Sequence, residues 1–469
     1  MAEGSEGRAW RVERDSMGEM RVPADALYGA STARAVENFP ISGRPLRPPL
    51  IHALGHLKAA CARANRELGR LDAERAEAIA EAALEVAAGR HDRDFPVDVY
   101  QTGSGTSTNT NANEVIAHLA SARLGREGAV HPNDHVNRGQ SSNDVFPSAM
   151  QIAAVLVLEG ELQPALAVVE QELAARAAEW DDVVKVGRTH LMDATPIRVG
   201  QVFSGYAAQV RRAGAGIRAA ARELASSLPI GGTAVGTGLN THPRFGESVC
   251  RELSERLGVP FAETDNHPAL QASRDVVVAA HGALRVAALA LSKVANDIRH
   301  LASGPRCGLG ELRLPAVQPG SSIMPGKVNP VICESVVQVA CRVIGNDTTV
   351  SIADLGGVGS IFELNVAMPV MADAFLESTA LLASASRVFA EKALRGLEVD
   401  ALRCREFAER SLMLVTALTP EIGYDRAAEI AKRALAEGRT LREICLEEGV
   451  LPPERLDELL DPVRTTRPG

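Results

Sequence analysis

Four polar loops hold the residue types best suited to chemistry. The first is Thr102-Gly103-Ser104-Gly105-Thr106-Ser107-Thr108-Asn109, and the second is Gln140-Ser141-Ser142-Asn143-Asp144. The third is Gly187-Arg188-Thr189-His190-Leu191-Met192-Asp193-Ala194-Thr195-Pro196. The fourth is Pro319-Gly320-Ser321-Ser322-Ile323-Met324-Pro325-Gly326-Lys327-Val328-Asn329-Pro330. Taken singly, Ser, Thr and Asn in such stretches cap helices and fill turns. Together they offer hydroxyls, amides and backbone N–H groups ahead of helices, the usual holders of carboxylate oxygens. They also offer one lysine as a point charge, one histidine for proton transfer, and a serine in a glycine-flanked loop. That set suits proton transfer on a small dicarboxylate.

Three other patterns carry less. His52 and His56 stand four apart on a helical stretch, a metal-ligand spacing, but Ala53 occupies the place of the glutamate in such motifs and no third ligand follows. Both are read as packing or surface histidines. The run 231–238 (GGTAVGTG) lacks the lysine of a phosphate-binding loop and does not follow a strand, so it is read as a tight loop beside a helix. The seven cysteines (Cys61, Cys250, Cys307, Cys333, Cys341, Cys404 and Cys445) are scattered, with no C-x-x-C. They support neither a disulfide framework nor a zinc ribbon nor an iron–sulfur cluster.

The elements that must position these loops are helical. Aromatic residues are 3% of the 469 residues while Ala and Leu abound, which fits long helices better than a β-sandwich. Residues 1–49 read as irregular, with prolines at 23, 40, 45, 48 and 49. Apolar residues at three- and four-residue spacing predict helices over 50–68 and 72–88. A loop over 89–113 and a short helix to about Leu124 follow. Long helices are expected over 145–179, 199–226, 268–302, 330–350 and 363–394. In 268–302, Leu284, Leu291 and Ile298 are seven apart, as are Ala287, Val294 and Leu301. This is a heptad seam on a helix of roughly 50 Å, the pattern of a bundle that also builds an oligomer core. Short helices over 399–411, 425–437 and 440–447 complete the chain. Length predicts about three domains, placed at 1–140, 141–396 and 397–469.

Fifty Lys and Arg against 59 Asp and Glu give a net charge of −9. A broad nucleic-acid-binding surface is not expected, because it would need a basic face. The opening MAEGSEGRAW has no apolar core of a secretion signal, and no run of about 18 uncharged apolar residues occurs. The expectation is a cytoplasmic protein with no membrane partner.

At the level of motifs, GSSIMPGKVNP resembles the signature of the fumarase/aspartase superfamily. RVPADALYGA, QTGSGT, HPNDHVN, QSSNDVFPSAM, GRTHLMDATP, IGGTAVGTGLNTHP, LASGPRCGLGE and IGYDRAAEIAK extend the likeness end to end and resemble class II, iron-independent fumarases. Aspartases typically read TGAGV at the first loop and carry Gln at the place of His190. The resemblance implies a mostly α fold of three domains with a central long-helix bundle forming a tetramer core. It implies a fumarate hydratase, a lyase of the tricarboxylic acid cycle that interconverts fumarate and L-malate with no metal or other cofactor. The assembly it implies is a homotetramer whose active sites are shared between three subunits. By the same resemblance His190, Ser321 and Glu334 are catalytic: Ser321 is the carbon-acid base, His190 acts through the water that becomes the malate hydroxyl, and Glu334 orients His190. Ser104, Gly105, Thr106, Ser141, Ser142, Asn143, Thr189, Ser322, Lys327, Val328 and Asn329 bind substrate. A second anion site is implied at His131, Pro132, Asn133 and Asp134. There the chain departs from a family member compared with it, having Gly128 where that protein has Arg and His135 where it has Asp.

Overall fold

The computed structural model describes residues 9–467; the first eight residues of the N-terminal reading, and the start of the first expected domain, lie outside them. Seventeen α-helices and four two-stranded antiparallel pairings occur among the described residues. They fall into two compact units. One comprises the residues up to Pro164 with Ala215–Ala288 and Cys341–Ala383, and the other comprises Ala165–Gly214, Leu289–Ala340 and the residues from Ser384 on.

The long helices are Ser142–Glu179, Val199–Ala225, Asp275–Leu301, Val331–Ala353 and Met368–Phe389. One π turn at Leu158–Leu162 carries the first past its middle, and another at Ala390–Leu394 extends the last. Each unit boundary falls inside one of these helices. Ser142–Glu179 and Asp275–Leu301 are long and apolar enough to cross a membrane by length and composition alone, and buried core helices share that property. The heptad residues Leu284, Ala287, Leu291, Val294 and Ile298 are all buried within the chain itself, while Val286 and Leu289 on the same helix are 53% and 51% exposed.

Several boundaries differ from the sequence reading, each for a tertiary reason. Residues 1–49 are not irregular throughout: Trp10–Asp15 pairs with Gly18–Pro23, and Ala30–Asn38 is helical. Both strands are rich in charge, and of their residues only Val22 and Pro23 are buried, so they carry no apolar alternation. The helix start is held by Glu114, whose carboxylate accepts the N–H groups of Gly29, Ser31 and Thr32 at 2.9, 3.0 and 3.2 Å. That cap lies more than eighty residues away in sequence.

The helix expected to begin near Asn113 begins at Thr106. Its Thr and Asn side chains find partners other than their own backbone: Thr108 bonds Gln101, and Asn111 Nδ2 donates to the Asp94 carbonyl at 2.9 Å. Their usual competition with helical hydrogen bonds is thereby removed. The helix expected over 268–302 is broken. His267–Ala272 ends at Ser273, because the Ser273 hydroxyl and Arg274 N–H both turn to the Asp354 carboxylate, at 3.1 and 2.7 Å, and a new helix starts at Asp275.

Candidate active site

In the first unit, Gly105 makes the turn into the helix Thr106–Arg123 at φ +72°. A Cβ there would stand 2.1 Å from the Phe146 ring, so only glycine fits. Ser104, buried, shares a hydrogen bond of 2.8 Å with the exposed Thr106 hydroxyl. These hydroxyls stand at the N-terminus of an 18-residue helix, where the macrodipole favours an anion.

The second loop opens another helix. Ser141 and Asp144 form a capping box: the Asn143 N–H donates to Ser141 Oγ at 3.3 Å, and the Ser141 N–H to Asp144 Oδ1 at 2.9 Å. The other Asp144 oxygen accepts the N–H groups of Gly231 and Thr233 at 3.1 and 2.9 Å. Asn143 Nδ2 donates to the Ala234 carbonyl at 2.8 Å. The glycine-rich run 231–238 is thus a loop clasped around the start of the 142 helix. Burial pushes the Asp144 carboxyl up to about 6, against the pull of those hydrogen bonds and of Lys58. The two loops meet through Asn109, whose Nδ2 donates to Ser142 Oγ at 3.1 Å.

His131 caps the turn Pro132–Val136. Its Nδ1 accepts the N–H groups of Asn133 and Asp134 at 3.3 and 3.1 Å, and Asp134 Oδ2 lies 3.3 Å from the same nitrogen. His52 Nε2 faces Asp92 at 3.0 Å, and His56 is half-buried. No cluster of three or more His, Cys, Asp or Glu able to hold a metal occurs among the described residues.

In the second unit, the third loop is not a loop but a hairpin, Val184–Thr189 against Met192–Arg198. His190 and Leu191 are its two turn residues, with φ of +58° and +63°. A two-residue turn with both φ positive matches the twist of the strands, but it is strained for residues other than Gly, Asn or Asp. The His190 side chain is therefore held exposed at a tip. Below it Arg188 forms a two-pronged pair with Glu311, Nη1–Oε2 and Nη2–Oε1 both at 2.9 Å, and Lys185 Nζ lies 3.4 Å from Oε2. The Glu311 side chain is 1% exposed.

The fourth loop folds onto itself. The Gly320 N–H donates to the Lys327 carbonyl at 2.7 Å and Asn329 Nδ2 to the Gly320 carbonyl at 2.6 Å. A Cβ on Gly320 would stand 2.5 Å from the Lys327 oxygen. Ser321 Oγ accepts the N–H groups of Ile323 and Met324 at 3.2 and 2.9 Å. Ser322, Lys327 and Val328 are exposed, and a depression of about 420 Å³ lies beside Ser321, Gly326, Lys327 and Val328. Glu334 sits in the first turn of Val331–Ala353. No hydrogen bond among the described residues joins His190, Ser321 and Glu334 to one another.

The supporting residues Lys58, Lys185 and Glu311 carry no signal in the sequence, and only their burial identifies them; Asp144 stands in the second polar loop, but its supporting role shows only in the fold. A further arrangement was also unseen: His281 Nδ1 faces Asp347 at 3.0 Å and Nε2 faces Ser378 Oγ at 2.9 Å. This has the connectivity of a hydrolytic triad, but Ser378 is fully buried and donates to the Ala374 carbonyl at 2.8 Å, so the group is a hydrogen-bonded core contact.

The family description "Lyase" matches residues 18–345, and "Fumarase C C-terminus" matches residues 414–467. A fumarate hydratase class II of Corynebacterium glutamicum is 53% identical over 450 residues, 96% of this chain and 94% of that protein. A fumarate hydratase class II of Halobacterium salinarum is 53% identical over 98% of both chains. The crystal structure of a class II fumarase from Schistosoma mansoni superposes with a TM-score of 0.95 at 39% identity, covering 98% of this chain and 99% of that one. On this breadth of agreement, over nearly the full length of the chain, it belongs to the class II fumarase family of lyases.

Proposed function

We propose that this chain is a fumarate hydratase, catalysing the reversible hydration of fumarate to L-malate in the tricarboxylic acid cycle. The observation that carries the reading is the environment of Ser321. A serine hydroxyl is a weak base near neutral pH and needs a setting that favours its alkoxide. Two backbone N–H groups already point at Ser321 Oγ, Lys327 follows in the same loop, and the loop leads into the N-terminus of a 23-residue helix. The two N–H groups favour negative charge at that oxygen, and in this reading Lys327 adds to it.

In the dehydration direction, Ser321 takes the proton from the carbon beside one carboxylate. The electron pair moves into that carboxylate as an aci-carboxylate, and the C–O bond on the neighbouring carbon then breaks. The departing hydroxyl receives a proton through a water held by His190 and leaves as water. Glu334 orients His190 and selects its tautomer. Lys327 and Asn329 stabilise the doubly charged intermediate more than the substrate, which is what lowers the barrier. Ser104, Gly105, Thr106, Ser141, Ser142, Asn143, Thr189, Ser322 and Val328 hold the substrate carboxylates. His131, Pro132, Asn133 and Asp134 form a second anion site in this reading.

The catalytic groups are unbonded to one another within one chain, and apolar Val286 and Leu289 are half-exposed on a long helix. Both support a homotetramer with active sites built from three subunits. The reading includes a three-part chain (1–140, 141–396, 397–469), a cytoplasmic location and metal-independent chemistry.

The test follows absorbance at the fumarate band with malate or fumarate supplied and EDTA present. Wild type turns over in both directions, and Ser321→Ala and His190→Asn each lose about 100-fold or more in kcat. Release of ammonia from aspartate without malate turnover would replace the reading with an aspartase. Activity abolished by EDTA would refute metal independence.

A further inference from the structure

We infer that Lys58 is a positioning residue that sets the 140–143 loop from beneath. The inference rests on the reading of that loop as a carboxylate holder. Lys58 lies in the helix Pro48–Glu67, over eighty residues before the loop, and is completely buried. A buried ammonium is expensive and persists where fixed partners receive it. Its partners are two side chains of the loop region and none of its own helix: Nζ donates to Asn137 Oδ1 at 3.0 Å and to Gln140 Oε1 at 2.9 Å.

Those two amides shape the backbone in turn. Asn137 Nδ2 donates to the Gln140 carbonyl at 3.1 Å, and Gln140 Nε2 donates to the Val136 carbonyl at 3.0 Å. The Asn137 oxygen also receives Asn109 Nδ2 at 3.3 Å, and the same amide group reaches Ser142 Oγ. One ammonium therefore orients both amides so that their N–H groups face the backbone. It couples the start of the 142 helix to the helix that begins at Thr106. Asp144, clamped by Ser141, Gly231 and Thr233, supplies the opposing charge within reach of Lys58. Burial draws the Lys58 ammonium down to about 8, with Asp144 opposing that fall. An aliphatic residue would fill the volume but would leave Gln140 Oε1 without a donor and free its amide to turn over.

Lys58→Met keeps nearly the same length and removes the donor. In the full-length protein, the KM for both malate and fumarate rises about tenfold or more while kcat stays within about threefold, the pattern of lost uniform binding. A folded variant with unchanged KM, whatever its melting temperature, overturns the proposal. If Lys58→Met does not fold, Gln140→Leu removes the same tie while leaving the lysine paired with Asn137. It shows the same rise in KM, and an unchanged KM again overturns the proposal. Turnover by wild type checks the underlying reading separately. Should wild type turn over neither compound, calorimetric malate binding to wild type and variant still decides: weaker binding by the variant supports Lys58, and equal binding, or none by wild type, overturns it.

Discussion

Replacing Glu311 by glutamine tests whether the hairpin of His190 is held by charge. Glu311 is 1% exposed and receives both prongs of Arg188 at 2.9 Å, with Lys185 at 3.4 Å. Lys185 is itself buried, and burial lowers its ammonium while Glu311 opposes that fall. Removing the negative partner leaves two cations facing a neutral amide. Breaking a buried pair from one side costs about 3–5 kcal/mol, and because the amide keeps one accepting oxygen the lower end, about 3 kcal/mol, is expected. The hairpin turn adds a second consequence. His190 and Leu191 both sit at positive φ, an arrangement that costs about 1–2 kcal/mol per residue and persists only while the surroundings impose it. With the anchor weakened, the turn relaxes and the imidazole shifts. A displacement of about 1 Å reduces kcat about 100-fold. The assay is urea unfolding followed by circular dichroism at fixed protein concentration, with kcat and KM measured on the same preparation. A variant within about 0.5 kcal/mol of wild type refutes the charge argument. A destabilised variant with wild-type kcat refutes the link from Glu311 to His190.

Two further predictions concern buried charges. Arg274 is 1% exposed, its three guanidinium nitrogens have no hydrogen-bond partner among the described residues, and burial draws it down to about 10 despite Asp354. Arg274→Met removes unsatisfied buried donors and is therefore expected to raise stability by about 1–3 kcal/mol, and a lower melting temperature would contradict this. Burial raises Asp144 from 3.8 to about 6, so the folded state binds its proton more tightly than the unfolded chain does. Its contribution is full below about pH 4 and is lost as pH rises through 6, a change of about 3 kcal/mol. The stability of wild type relative to Asp144→Asn should fall by up to that amount between pH 4 and pH 7 in equilibrium unfolding, and a flat difference would exclude it.

The long helices were legible because their apolar spacing is local: 199–226 against Val199–Ala225, and 330–350 against Val331–Ala353. The loops of the candidate site were legible because chemistry-bearing residue types cluster there, and the motif GSSIMPGKVNP is specific. The conformations of those loops were not legible. The His190 segment reads as a polar turn, yet it is a hairpin whose tip is strained. The Asn-rich 106–113 segment reads as loop, yet it is helix, because the Thr108 hydroxyl and the Asn109 and Asn111 amide N–H groups are taken up by Gln101, Ser142 and Asp94 from elsewhere in the chain.

By itself the sequence determined the helical class, the four segments that carry the chemistry and the family, since residue identity and short-range periodicity are enough to specify each; it did not determine that two of those segments are partly strand or helix. Only the tertiary structure decided which buried groups hold the loops in place. Lys58 beneath Gln140, Glu311 beneath His190 and Asp144 beneath the glycine run are all remote in sequence from what they hold. A buried charge is stable only opposite its partner, and which residues become partners is fixed when the chain folds, not by their spacing along it.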